Sequence, residues 1–131
     1  AQLDQGQVLY VDKRNAARPV EMFSSAGKVG PAYCTGVGKA MLAHLPQAAL
    51  EAALARQSFH AFTEHTLSPR ALPAELAAIR DRGFAFDREE HEPGIICVAA
   101  PILTRGGRAL GALSVTSTTA RTTLELSLIH I

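Results

Sequence analysis

A chain of 131 residues, 47% of them apolar, is long enough for one domain with its own core and too apolar to be disordered. Lys and Arg number 13 against 12 Asp and Glu, and a net charge of +1 leaves no basic stripe with which this chain would grip a phosphate backbone. No apolar run reaches the roughly 18 residues of a membrane span and no basic-then-apolar leader opens the chain, so a cytoplasmic location without membrane contact is expected.

Gln7 to Lys13 alternates, with Val8 and Tyr10 on one face and Leu9 and Val11 on the other, which predicts a strand covered on both sides. Arg14 to Ala17 is a turn, and Pro19 to Ser24 is a second short strand, the hairpin partner of the first. Gly27, Gly30 and Pro31 make Ser24 to Pro31 a loop. A helix then starts at or beside Thr35, a good N-cap, with Gly36 and Gly38 allowing close backbone approach. Pro46 ends that helix and suits the first turn of the next, whose apolar stripe is Leu50, Ala53 and Leu54. Phe59 to Leu67 is irregular. Ser68-Pro69 or Leu72-Pro73 opens a third helix carrying Leu72, Leu76 and Ile79, with Gly83 as its stop after Arg80 and Arg82.

Phe84 to Arg88 is a strand, Ile95 to Leu103 a continuous apolar and so central strand, Arg105 to Arg108 a hairpin turn, and Ala109 to Ser117 the final strand. The order β-β-α-α-α-β-β-β implies an α+β sandwich, a mainly antiparallel sheet flanked by helices. One domain over residues 1–126 is expected. The chain opens without Met almost directly on a strand pattern, as a piece of a longer protein would, and residues 127–131 end without a cap or polar tail, so a foreign terminus is suspected there.

The final strand places Leu110, Ala112, Ser114 and Thr116 on one face, and the strand before it places Ile95, Cys97 and Ala99 on one face. Paired across Gly106-Gly107, they form either a small cup with an apolar wall and two hydroxyls or a polar strip facing solvent. The first N–H groups of the first helix, at Gly36, Val37 and Gly38, lack internal acceptors and suit either a carboxylate or a tight packing contact. Lys39 invites a phosphate-loop reading, but Tyr33 and Ala40 stand where that motif needs Gly and Ser or Thr. Asp87 shares a face with Ala85, opposite Phe84 and Phe86. Either it points inward and needs donors, from Ser114, Thr116 or a ligand hydroxyl, or it lies at the surface. The rest of Asp87 to Glu92 reads as a solvated connection.

None of His44, His60, His65, His91 and His130 shows metal-ligand spacing, and adjacent Glu90, His91 and Glu92 point apart on an extended strand, so no metal or cofactor is expected. Cys34 and Cys97 form no C-x-x-C pair and read as reduced thiols, Cys97 as an inert buried one.

Several ordered motifs together carry a resemblance. They are Gly30-Pro31-x-Tyr33-x-Thr35-Gly36-x-Gly38-Lys39-Ala40-x-Leu42-Ala43, Phe62-Thr63-x-x-Thr66, and Leu72-x-x-Glu75-Leu76-x-x-Ile79-Arg80-x-x-Gly83. Asp87-x-Glu89-Glu90-x-x-x-Gly94-Ile95-x-Cys97-x-Ala99-Ala100-Pro101-Ile102 and Ala112-Leu113-Ser114-Val115-Thr116 follow. From about Leu9 to Leu126 the chain resembles the GAF-like, C-terminal ligand-sensing domain of the IclR-type bacterial transcriptional regulators. The resemblance implies a non-enzymatic domain that binds a small organic-acid effector (keto, hydroxy, sugar or aromatic), forms homodimers or tetramers, and reaches DNA only through a winged helix-turn-helix domain absent from this chain. The implied effector residues are Gly36, Val37, Asp87, Ile95, Cys97, Ser114 and Thr116. Thr116 stands where Ser is frequent and Val37 where Ala also occurs, which implies a tighter pocket. An assembly module without a working ligand site, and a cysteine-dependent redox enzyme, are the other classes considered.

Overall fold

The computed structural model describes residues 1–15, 17 and 24–121. Strands β1 (Gln2–Asp4), β2 (Gln7–Leu9) and β3 (Val29–Gly30) come first. Helices α1 (Gly36–Leu42), α2 (Gln47–Ala55) and α3 (Leu72–Arg82) follow, then strands β4 (Ala85–Arg88), β5 (Ile95–Leu103) and β6 (Ala109–Thr118). Two three-stranded antiparallel sheets result, β1-β2-β3 and β4-β5-β6. The Ala1 nitrogen donates to the Ala112 carbonyl at 2.8 Å and the Ala112 N–H returns to the Ala1 carbonyl at 2.9 Å, so the first sheet abuts the second along β6. The α+β, GAF-like class is as expected.

The first sheet differs in detail from the sequence reading. Gln5 and Gly6 both take positive φ, 51° and 79°, the two-residue turn that suits a hairpin, so Gln2–Asp4 forms a strand that alternation did not reveal. The strand expected over Gln7 to Lys13 keeps ladder pairing only to Leu9. The partner of β2 on its other side is β3, inside the segment expected to be a loop. Residues 18–23, most of the expected second strand, lie outside the described residues, as do residues 122–131, including the suspected terminus.

The helices start and stop for local reasons. Thr35 caps α1, its Oγ1 accepting from the Gly38 N–H at 3.3 Å and donating to the Pro31 carbonyl at 2.7 Å. Pro46 stands just before α2. Leu72 rather than Ser68 opens α3, because Ser68 takes the Leu72 N–H in a preceding turn. Gly83 ends α3 with φ 89°, its N–H on the Ile79 carbonyl at 2.8 Å.

The core is Val8, Tyr33, Met41, Leu42, Leu72, Leu76 and Ile79 against Ala85, Cys97, Ala99 and Ala112. Small residues on the inner face of β4, β5 and β6 let α1 lie directly on that sheet. The closest approach is at Gly36, where an added Cβ would stand 2.5 Å from Cys97 Sγ and 3.2 Å from the Ala99 Cβ. The α1 start is thereby held against the middle of the sheet.

Candidate ligand-binding site

The register of the second sheet decides what meets at that point. Asp87 pairs with Cys97, Cys97 with Thr116, and Ala99 with Ser114. Residues directly opposite in a sheet share a face. One inner face therefore carries Asp87, Cys97, Thr116 and Ser114, with the start of α1 above it. A cavity of about 40 Å³ lies there. Gly36, Val37, Asp87, Ile95, Cys97, Ser114 and Thr116, the residues named from the resemblance, all line it. Tyr10, Ser24, Thr35, His91 and Glu92 complete the wall. Alternation could not find these, because Tyr10, Ser24, His91 and Glu92 sit on connections. Tyr10, Ser24, Val37, Ser114 and Thr116 also line an adjoining cleft of about 530 Å³. Asp12, Lys13, Arg14 and Arg121 also line that cleft.

Asp87 is buried, which decides between the two readings of it. Its Oδ1 accepts from the Glu90 backbone N–H at 2.9 Å rather than from the hydroxyls that were expected to serve it. Thr116, directly opposite Cys97, and Ser114, opposite Ala99, bring their hydroxyls beside that thiol, where they oppose the rise that burial gives it. Burial is the main cause that raises the Asp87 carboxyl to about 7, and the neighbouring Glu90 carboxylate adds to it while the Glu90 N–H opposes it. Burial likewise pushes the Cys97 thiol up to about 12, and raises Cys34 and the Tyr10 hydroxyl well above their ordinary values. His91 is pushed down, again by burial.

The connection from β4 to β5 is not the solvated stretch expected from its charges. Glu90 is only 3% exposed, and its Oε2 accepts from Lys39 Nζ at 2.8 Å and from the Arg88 N–H at 3.1 Å. Lys39, fully buried on α1, is its ion-pair partner, with Glu75 of α3 3.7 Å away. The lysine that resembled a phosphate-loop residue thus neutralises a buried carboxylate. Glu89 folds its side chain back to accept from the Gly94 N–H at 2.8 Å, closing the turn. Thr63 and Thr66 of the segment before α3 donate their hydroxyls to the Glu89 and Glu90 carbonyls, each at 2.6 Å.

Gly36 and Val37 present N–H groups that have no acceptor within α1. At seven residues α1 carries a small dipole, so these local donors matter more than the helix as a whole. Among the described residues no group of three or more His, Cys, Asp or Glu side chains is arranged to hold a metal ion. No helix among them is long and apolar enough to cross a membrane.

Comparison with known proteins agrees with this architecture. The family model described as the bacterial transcriptional regulator IclR C-terminal matches residues 1–127. The HTH-type transcriptional regulator XynR of Escherichia coli K12 is 36% identical over 120 residues, covering 91% of this chain and 48% of that protein. The chain spans about half the length of the curated relatives it matches. The crystal structure of Thermotoga maritima IclR superposes with a TM-score of 0.90 at 32% identity, covering 98% of this chain and 53% of that one. A double mutant of the Acinetobacter PobR inducer-binding domain, in complex with 3-hydroxybenzoic acid, superposes with a TM-score of 0.83 at 25% identity over 97% of this chain and 75% of that one. Sequence and fold together place this chain in the IclR family of bacterial transcriptional regulators, as a C-terminal effector-binding domain.

Proposed function

We propose that residues 1–126 form the sensing domain of a transcriptional regulator, and that the effector is a small organic acid carrying a hydroxyl or keto group, bound over Asp87. The observation that carries this reading is the cavity. Backbone donors at Gly36 and Val37, one buried carboxyl, two hydroxyls and the apolar flank of Ile95 and Cys97 converge on a single small space. That space alone admits about three water-sized groups, so a ligand of several carbons extends into the adjoining cleft.

The effector carboxylate takes the Gly36 and Val37 N–H groups. Asp87 accepts from an effector hydroxyl when ionised and donates to an effector oxygen when protonated. The PobR domain with its hydroxybenzoic acid supports the choice of a hydroxy acid at the level of the family. Keto, sugar and other aromatic acids fit the same polar pattern. Operator binding belongs, in this reading, to the helix-turn-helix part that the relatives' names describe. Redox catalysis by cysteine is disfavoured, because both thiols are buried and held protonated far above neutral pH. Self-association is part of the proposal. Ile102 and Leu113 share the outer face of the second sheet and are 53% and 63% exposed.

The test is a thermal-shift screen of the purified domain against small keto, hydroxy, sugar and aromatic acids. A true effector at about 100 times its Kd stabilises the fold by about 2.7 kcal/mol and moves Tm upward. A folded domain whose Tm ignores every acid in the panel would contradict the sensing reading and favour the assembly module.

A further inference from the structure

Neither Thr63 nor Thr66 of the motif Phe62-Thr63-x-x-Thr66 lines the cavity, and Phe62 reaches only the His91 ring, edge-on at 4.7 Å, yet the motif is bonded to the turn that carries the cavity's acid. A carbonyl has no proton to give, so the Thr63 hydroxyl must be the donor to the Glu89 carbonyl at 2.6 Å. The same hydroxyl oxygen accepts from the His65 N–H at 3.0 Å. The Glu89 carbonyl and the Glu90 N–H belong to one peptide group. That N–H is the donor to Asp87 Oδ1 at 2.9 Å. The bonds run in one direction, from His65 N–H through the Thr63 hydroxyl and the 89–90 peptide to the Asp87 carboxyl. Bonds in such a chain polarise one another, so the peptide becomes a stronger donor because its carbonyl is occupied.

Thr66 offers an internal contrast. Its hydroxyl accepts from the Thr63 N–H at 3.0 Å and donates to the Glu90 carbonyl at 2.6 Å. That carbonyl belongs to the next peptide, whose N–H is that of His91. Thr66 therefore pins the same turn without feeding the donor of Asp87.

We propose that Thr63 is a positioning residue for the effector site, acting on Asp87 through the 89–90 peptide so that the carboxyl is oriented and its ionised form favoured. Its consequence for ligand choice rests on the effector reading above. The other titratable groups around Asp87 are Lys39 and Cys34 from the α1 side, Glu90, His91 and Glu92 from the turn, Cys97 from β5, and Tyr10 from the first sheet. Thr63→Val removes a neutral hydroxyl and leaves the number of charges around Asp87 unchanged, which makes the relay separable.

The experiment is a carboxyl carbon NMR titration of the full 131-residue chain without ligand, with Asp87→Asn identifying the Asp87 resonance. Thr63→Val keeps the shape and removes the hydroxyl. It should raise the Asp87 midpoint by about 0.3 pH unit or more, whereas Thr63→Ser and Thr66→Val should leave it at the wild-type value. An unchanged midpoint in Thr63→Val, or an equal rise in Thr66→Val, would overturn the relay. Should Thr63→Val not fold, the wild type decides. Its Thr63 hydroxyl and Glu90 amide protons must both shift with the Asp87 midpoint, and a hydroxyl proton that ignores it overturns the proposal. Because no ligand is present, the relay and the sensing reading can fail independently.

Discussion

At the scale of single residues, Asp87 governs the pH behaviour. Its carboxyl is raised from 3.8 to about 7, chiefly by burial. Below its ordinary value it is neutral in both folded and unfolded chains. Between the two values the unfolded chain releases the proton while the fold retains it, so this residue's contribution to stability falls as pH rises and levels off above about 7. Urea denaturation across pH 4 to 8 should show that fall, on the order of a few kcal/mol. Asp87→Asn should flatten it while keeping the Glu90 N–H satisfied. A variant with the wild-type slope would show that other groups set it. The same carboxyl makes binding proton-linked. An acid bound beside it meets a repelling charge above pH 7, so calorimetric affinity for an acid found in the thermal screen should weaken from pH 6 to pH 8. The Asp87→Asn domain should lose most of that dependence. Gly36 is the other sensitive position. Gly36→Ala drives a methyl toward Cys97 Sγ and should cost about 1–3 kcal/mol of stability. Adding Cys97→Ala should restore part of it in the same denaturation assay.

Among elements, the contact that matters most is between α1 and the β4–β5 turn, held by Lys39 and Glu90. Removing one partner leaves the other charged and buried, which typically costs about 3–5 kcal/mol. Lys39→Met should therefore lower the urea midpoint sharply, and Lys39→Met with Glu90→Leu should recover much of the loss. Equal and additive losses in the two single variants and the pair would deny the coupling. The legibility of the fold tracks these elements. The helices and the second sheet were readable because caps, proline, glycine stops and strand alternation are local signals, as at Thr35, Pro46, Gly83 and the apolar run from Ile95. Of the first sheet only β2 was readable, inside the strand expected over Gln7 to Lys13; β1 has three residues and β3 two, too short to show a period, and the β2–β3 pairing is set by backbone contacts between distant segments. The site divided in the same way. Alternation brought Cys97, Ser114 and Thr116 to one face and offered Asp87 as an inward group. The donor to Asp87, the burial of Glu90 and the role of Thr63 depend on how a turn folds back on itself, which no periodicity records.

On the scale of the whole molecule, one sheet face holds α1 and the cavity while the other exposes Ile102 and Leu113. If copies of the domain associate through that outer face, Ile102→Glu with Leu113→Glu should shift the mass seen by light scattering toward the monomer and leave ligand-induced thermal shifts intact. Unchanged mass would place any association elsewhere. The central claim, that an acid binds over Asp87 between α1 and the second sheet, is tested most directly by mapping amide chemical-shift changes in the labelled domain on addition of the acid that most raises Tm. Changes concentrated at Gly36, Val37, Ile95, Cys97, Ser114 and Thr116, and abolished by Asp87→Ala or altered in their selectivity among acids, are the predicted result. Changes centred on the outer face or on α2, with these amides unmoved, would contradict it.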